Sequence, residues 1–347
     1  MTPAAGASSS VDGGKVPIGI DALELWVADL ARTADLLERG FGFERADAPD
    51  TEADDPVVQL RCGGVTVVLR SGVSPGKPTT RHVATHGDTV GDVALLTADS
   101  AGAIARAEAF GLDVSGARID MTGDGTIRHT VRAGTARAAR GSDPLRPTGI
   151  DHIACCVPHG QAATLTRAYE AVFGLDRVDM GDAARVGSAE TGMRSVVLRA
   201  ARGGFIVVII EPTARRSSGQ TQRFLDAHGG PGVQHAAMAY DDLSGAVEAL
   251  RARGVAFLDV PVGYYEGPQR RLSDRVRSWD ELRRLEILVD DDGDGLLFQL
   301  FTHAIGDRST FFFELIQRSG ATGFGANNVR ALFAAVEAAR REEFSDA

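Results

Sequence analysis

Apolar and polar positions alternate in short runs along this chain, and the runs return in the same order. Gly19-Ile20-Asp21-Ala22-Leu23 opens a strand-like segment, and a stretch of helical periodicity, LARTADLLERG, leads to Phe41-Gly42-Phe43. Gly149-Ile150-Asp151-His152-Ile153 opens another, and QAATLTRAYEAV leads to Phe173-Gly174-Leu175, an offset of 130 residues (149 − 19). A second echo sets Gly91-Asp92-Val93-Ala94 and SAGAIARAEAFG beside Gln234-His235-Ala236-Ala237 and LSGAVEALRARG. Further strand candidates follow, 57–72 in the first half and 194–201 and 204–212 in the second. Repetition on this scale fixes architecture before any single residue is weighed. It predicts four units, each a strand, a helix and a few more strands, grouped into two halves. Gly141 to Pro147 is linker-like in composition. The expected layout is a disordered tail at 1–15, a first domain at 16–142 and a second at 148–347.

The last strong pattern is Thr310 to Ile316, where Glu314 stands among Phe311, Phe312, Phe313, Leu315 and Ile316. Alternation puts Glu314 on a face with Phe312 and Ile316. A carboxylate there is either on the solvated face of an edge strand or buried, and if buried it needs a partner or a metal. Gly323-Phe324-Gly325 follows, then Asn327 or Asn328 as a helix N-cap, then Val329, Leu332, Phe333 and Val336 at helical spacing. This predicts a C-terminal helix, 328–341, folded back as a lid. The run Asp290 to Gly295 lacks the closing glutamate of a calcium loop and is expected to be a solvated hairpin turn.

Composition narrows the function classes. A net charge of −10 argues against nucleic acid or anionic membrane as a partner. The longest apolar run, Phe205 to Ile210, is far short of the ~20 residues of a membrane helix. Cys62, Cys155 and Cys156 form no disulfide framework, which fits a reducing cytoplasm.

The repeat makes two histidines informative. His152 falls where the first half has Ala22, and His235 where it has Asp92. Two histidines and one carboxylate on one face suit a non-haem Fe(II) with open positions for substrate and dioxygen. The other six histidines are expected to be ordinary core or surface residues.

Five blocks, IDH at 150–152, GVQHAA at 232–237, LEILVDDDGDGLLFQLFT at 285–302, GDRSTFFFELIQR at 306–318 and GFGANNVRALF at 323–333, resemble the 4-hydroxyphenylpyruvate dioxygenase family, which includes mandelate-forming members. The resemblance implies a vicinal-oxygen-chelate fold: α+β, four βαβββ units forming two open barrel halves. It implies Fe(II) held in the second half by His152, His235 and Glu314, with a small-molecule 2-oxoacid and O2 as partners and a homo-oligomer as an allowed state. It also places Ser195, Gln220, Gln234, Gln299, Phe301, Phe324 and Asn328 around the substrate. The chain departs from the homogentisate-forming pattern at Val208, Ile210 and Val329, where a Pro, an Asn and a Phe are usual. It resembles the mandelate-forming members there, which implies hydroxylation at the benzylic carbon. Homogentisate formation, a related 2-oxoacid dioxygenase acting on another aryl or alkyl pyruvate, a glyoxalase-type Zn or Ni enzyme and a metal-free binding protein of the same fold are the competing readings.

Overall fold

The computed structural model describes residues 18–46, 56–72, 76–134, 143–180, 185–187, 191–201, 204–215, 217–306, 308, 310–325 and 327–328. The expected tail, Val329 and the C-terminal lid helix lie outside them. Each half begins with a strand and a helix: β1 (Ile18–Val27) and α1 (Leu30–Asp35), continued by a π-type turn at Leu36–Gly40, in the first; β9 (Gly149–Cys156) and α4 (Ala162–Phe173) in the second. The first half continues with β2 (Glu44–Ala46), β3 (Val57–Cys62), β4 (Val65–Ser71), α2 (Pro78–His86), β5 (Thr89–Thr97), α3 (Ser100–Phe110), β6 (Asp113–Ser115), β7 (Arg118–Asp120) and β8 (Arg128–Ala133). The second continues with β10 (Asp176–Val178), β11 (Arg185–Val186), β12 (Met193–Arg199), β13 (Ile206–Pro212), α5 (Gln220–His228) and β14 (Gly232–Ala239). It ends with α6 (Leu243–Ala252), α7 (Glu266–Leu272), α8 (Trp279–Leu285), β15 (Leu288–Asp291), β16 (Leu296–Phe301) and β17 (Phe312–Ser319).

The two curled sheets share one strand order, β2-β3-β4-β1-β5-β8-β7-β6 and β10-β12-β13-β9-β14-β17-β16-β15, with β11 added beside β12. Each half is therefore two βαβββ units, joined by α2 in one and α5 in the other. Helix starts repeat as well. Asp29, Asp99 and Asp242 cap α1, α3 and α6, each accepting from the amide three residues on. For α4, buried Glu211 does this instead, accepting from the Gly160 and Ala162 amides.

One apolar core runs through both halves, from Leu23 and Leu69 to Tyr169, Phe205 and Phe313. Arginines cross the seam to finish helices whose last carbonyls lack partners. Arg106 on α3 donates to Val172 O at the end of α4, and Arg253 donates to Arg39 O and Gly40 O after α1. Arg308 donates to Thr85 O and Ala84 O at the end of α2.

The acidic run makes the expected hairpin turn between β15 and β16, and two of its aspartates do more. β15 extends through Asp291, and Asp290 is buried. Asp292 Oδ2 accepts from the Thr322 and Gly323 amides, and Asp290 from the Asn327 amide and side chain. These aspartates tether the segment around Phe324, while Asp292 Oδ1 also accepts from the Asp294 and Gly295 amides within the turn.

Candidate metal centre

β14 lies between β9 and β17. Ala237 pairs with His152 on one side and with Glu314 on the other, so the three share a row and a face. His235, two residues earlier, projects from that face too. The small Ala237 side chain lets His152 and Glu314 lean together above it.

Two bulges complete the arrangement. The β9–β14 ladder skips Asp151 beside His152, and Gln234 beside His235. An extra residue in an antiparallel pair re-aims side chains, and here each one brings an oxygen to the histidine that follows. Asp151 Oδ1 is 2.9 Å from His152 Nδ1, and Gln234 Oε1 is 3.4 Å from His235 Nδ1. Both Nε2 atoms then point inward, each 3.4 Å from Glu314 Oε2. All three groups are buried, and their donor atoms lie within 4.8 Å of one another.

Burial opposes charge on each group, and the cluster overrides it selectively. Burial would raise Glu314, but the two imidazoles pull it down to about 2. Burial would lower His152, but Glu314 and Asp151 push it up to about 9. His235 is lowered, burial being the larger influence. Asp151 is held well below the carboxylate range, its burial outweighed by bonds from Arg318 and His152. The group is thus two imidazoles and an ionised carboxylate. Such a donor set can take a divalent transition metal and leave its far side open.

The open side is a cavity of about 90 Å³. Met193, Ser195 and Val197 reach it from β12, and Val208 and Ile210 from β13, with Ser195 directly opposite Ile210. Gln299 and Phe301 of β16, Ile316 of β17, Met180, Val186 and Phe324 complete the wall. Gln299 Oε1 is buried with no partner among the described residues. Gly325 passes so close to it, at φ +66°, that a Cβ would sit 2.4 Å from that oxygen, so only glycine fits there.

The structure gathers nine of the residues singled out in the sequence: His152, His235, Glu314, Ser195, Gln299, Phe301, Phe324, Val208 and Ile210. Three sit elsewhere. Gln220 opens α5 on its exposed side, because the phase of that helix buries Thr221, Phe224, Leu225 and His228 instead. Gln234 is the bulged residue beside His235, outside the cavity wall. Asn328 is buried but turned to accept from the Tyr264 hydroxyl. The sequence reading missed Met180, Val186, Met193, Val197 and Ile316. For Met193 and Val197 a signal existed, since they alternate with Ser195. A larger cleft, about 470 Å³, lies on the outer face of β16 and β17 and contains none of the candidate residues.

At the matching positions of the first half, the described residues are occupied with one another. Register places Ala22 against Ala94 and Glu24 against Asp92, as His152 stands against Ala237 and Ala154 against His235. Asp92 is consumed by Arg118 and by the Thr130 amide and hydroxyl. Glu24 bonds Arg70 and the Trp26 indole, and Arg128 stacks on Trp26 at 4.2 Å. Where the second half has Ala154, Cys156 and Ile210, the first has Glu24, Trp26 and Arg70, which fill the volume.

Comparison with known proteins agrees with this geometry. Residues 19–132 and 151–271 each match the Glyoxalase/Bleomycin resistance protein/Dioxygenase superfamily. The chain is 30% identical to 4-hydroxyphenylpyruvate dioxygenase of Caenorhabditis briggsae, over 86% of this chain and 85% of that one. It is also 30% identical to the enzyme of that name from Danio rerio, over 91% and 89%. A triple variant of 4-hydroxymandelate synthase from Streptomyces coelicolor superposes with a TM-score of 0.80 at 34% identity, over 94% of this chain and 99% of that one. Full-length similarity on these terms, with the paired modules of the superfamily, places the chain in the 4-hydroxyphenylpyruvate dioxygenase family.

Proposed function

We propose that this dioxygenase binds Fe(II) through His152, His235 and Glu314 and converts 4-hydroxyphenylpyruvate and O2 to 4-hydroxymandelate and CO2. The observation that carries the product is the aliphatic pair Val208 and Ile210, which stand beside Ser195 and Val197 in one wall of the cavity. Benzylic attack requires the ring to settle away from the oxidising centre, and an apolar wall without an amide at position 210 supports that pose. The likeness to 4-hydroxymandelate synthase over nearly both whole chains supports the same choice.

Bound Fe(II) would supply the redox chemistry, taking the 2-oxoacid and O2 on its open side and driving oxidative decarboxylation with hydroxylation. The protein's work is to hold, orient and keep dry. Asp151 and Gln234 fix the imidazoles with Nε2 inward. Phe301 and Phe324 flank the reacting end, and Ser195 offers a hydroxyl to the ring. Met180, Val186, Met193 and Val197 enclose the remainder and exclude bulk water.

Incubation with 4-hydroxyphenylpyruvate, Fe(II) and air is expected to give 4-hydroxymandelate with one CO2 per O2. Homogentisate as the main product overturns the reading. Ile210→Asn is expected to raise the fraction of ring-attack products about tenfold, since ~1.4 kcal/mol in relative barriers is enough. Burying an amide there costs ~1–3 kcal/mol if it finds no partner, so unfolding is measured on the same variant.

A further inference from the structure

We infer that Arg318 is a positioning residue that couples the seating of the Phe324 segment to the setting of His152, making the two a single event. The inference rests on the reading of His152 as a metal ligand.

Arg318 lies on β17 four residues beyond Glu314, on the same face. Its Nε and Nη2 hold both oxygens of Asp151, at 2.7 and 2.8 Å, and Asp151 holds His152 Nδ1. Its Nη1 donates to Gly323 O at 2.5 Å, and its guanidinium carbon stands 5.0 Å from the centre of the Phe324 ring. One planar cation is thus divided between the carboxylate that orients His152 and the segment that closes the cavity. The same Phe324 ring meets His152 edge-on, with centroids 5.7 Å apart. His152 is therefore held twice, through Asp151 and by Phe324, and Arg318 touches both holders.

The segment is tied together as one unit beside this cation. Asp292 grips the Thr322 and Gly323 amides, and Arg199 donates to Thr322 O while standing 5.6 Å from the Phe324 ring. Any displacement of the segment takes Gly323 O and the ring away from Arg318 together. Its hold on Asp151 is then no longer braced from above, and the His152 ring loses its edge contact. A metal that fixes His152 works in the reverse direction, through Asp151 and Arg318, and favours the seated segment. Linkage requires the two effects to be equal. Lysine cannot replace the fork, because a point donor cannot grip a carboxylate at two oxygens and also reach a carbonyl.

The test uses Co(II) as a spectroscopic probe of the full-length protein, read by its absorption, and hydrogen exchange at residues 321–325. In the wild type, Co(II) is expected to slow exchange of this segment at least tenfold. Phe324→Leu, which leaves every donor atom in place, is expected to weaken Co(II) binding about fivefold or more, within the range of ordinary coupling. In an Arg318→Gln background both effects should fall at least about threefold, the direct Phe324–His152 contact accounting for what remains, and Arg318→Lys should not restore them. If Arg318→Gln does not fold, Arg318→Lys carries the same comparison. Unchanged Co(II) affinity in Phe324→Leu, or effects of Phe324 and Arg318 that simply add, overturns the coupling. A wild type whose Co(II) spectrum is indifferent to His152→Ala overturns the metal reading and the inference with it.

Discussion

Glu314→Gln is expected to lower oxygen uptake with an aryl pyruvate by at least about a thousandfold, with the fold retained. The side chain keeps its shape, so Phe313 and Leu315, both fully buried, remain packed. What disappears is the only negative charge among the three inward-facing donors. Neutral donors bind a hard divalent ion more weakly, and the amide presents an N–H where a lone pair is needed. His152 also loses the main influence that raises its pKa. Circular dichroism with iron content and oxygen consumption separates the outcomes: a folded variant that still binds iron and turns over would remove Glu314 from the centre.

The second large effect is acid lability between about pH 6.5 and 4. Three buried histidines stand at the seam between the halves. His129 on β8 contacts Tyr169 of α4, with Nε2 2.8 Å from its hydroxyl, and burial lowers its pKa to about 4. His228 on α5 lies 3.2 Å from the Thr89 hydroxyl of β5, and burial chiefly lowers it to about 4. His82 on α2 packs edge-on against Trp26, its Nε2 unpartnered among the described residues, and burial lowers it to about 3. His86 faces both His82 and His228 at centroid distances of 4.4 and 4.7 Å, and Arg128 and Arg308 add positive potential nearby. Each histidine is neutral when folded and takes up a proton below pH ~6.5 when unfolded. The unfolded state then binds more protons, so stability rises with pH across this window and falls on acidification. The slope is up to ~1.4 kcal/mol per pH unit for each histidine, large against a typical total of ~5–15 kcal/mol. Denaturant unfolding at pH 7, 6 and 5 measures it, and His129→Gln should flatten the curve while keeping both hydrogen bonds available. Equal stability at pH 7 and 5 would rule the effect out.

How far the sequence carries is visible in these same residues. Glu314 can be read as a candidate because it stands alone among apolar residues, although the strand by itself leaves a solvated edge open, and His152 and His235 because the repeat supplies positions where they are missing. The strand order follows from the same repetition. What period and composition do not encode is register. The bulges that make Asp151 and Gln234 partners of the histidines are properties of two strands pairing, not of either strand alone. Helix phase is equally hidden: Gln220 resembles a pocket residue, but one residue's turn of α5 sends it to solvent and Thr221 inward. Asp290 and Asp292 look like turn residues because acids beside glycine usually are. Their further role depends on amides thirty or more positions away. The seam histidines pass for ordinary core residues until the other half is placed against them.

The arginines that cross the seam have a consequence for how this chain can be cut. Arg106 completes a helix belonging to the second half, while Arg253 and Arg308 complete helices belonging to the first. Each half therefore carries parts the other needs, as the subunits of an obligate heterodimer do. The peptide around Pro144 and Pro147 then acts chiefly as a tether that sets the effective concentration of two pieces already made for each other. Two like modules joined in this way form a permanent, asymmetric pair, in which one member carries the candidate metal centre and the other braces it.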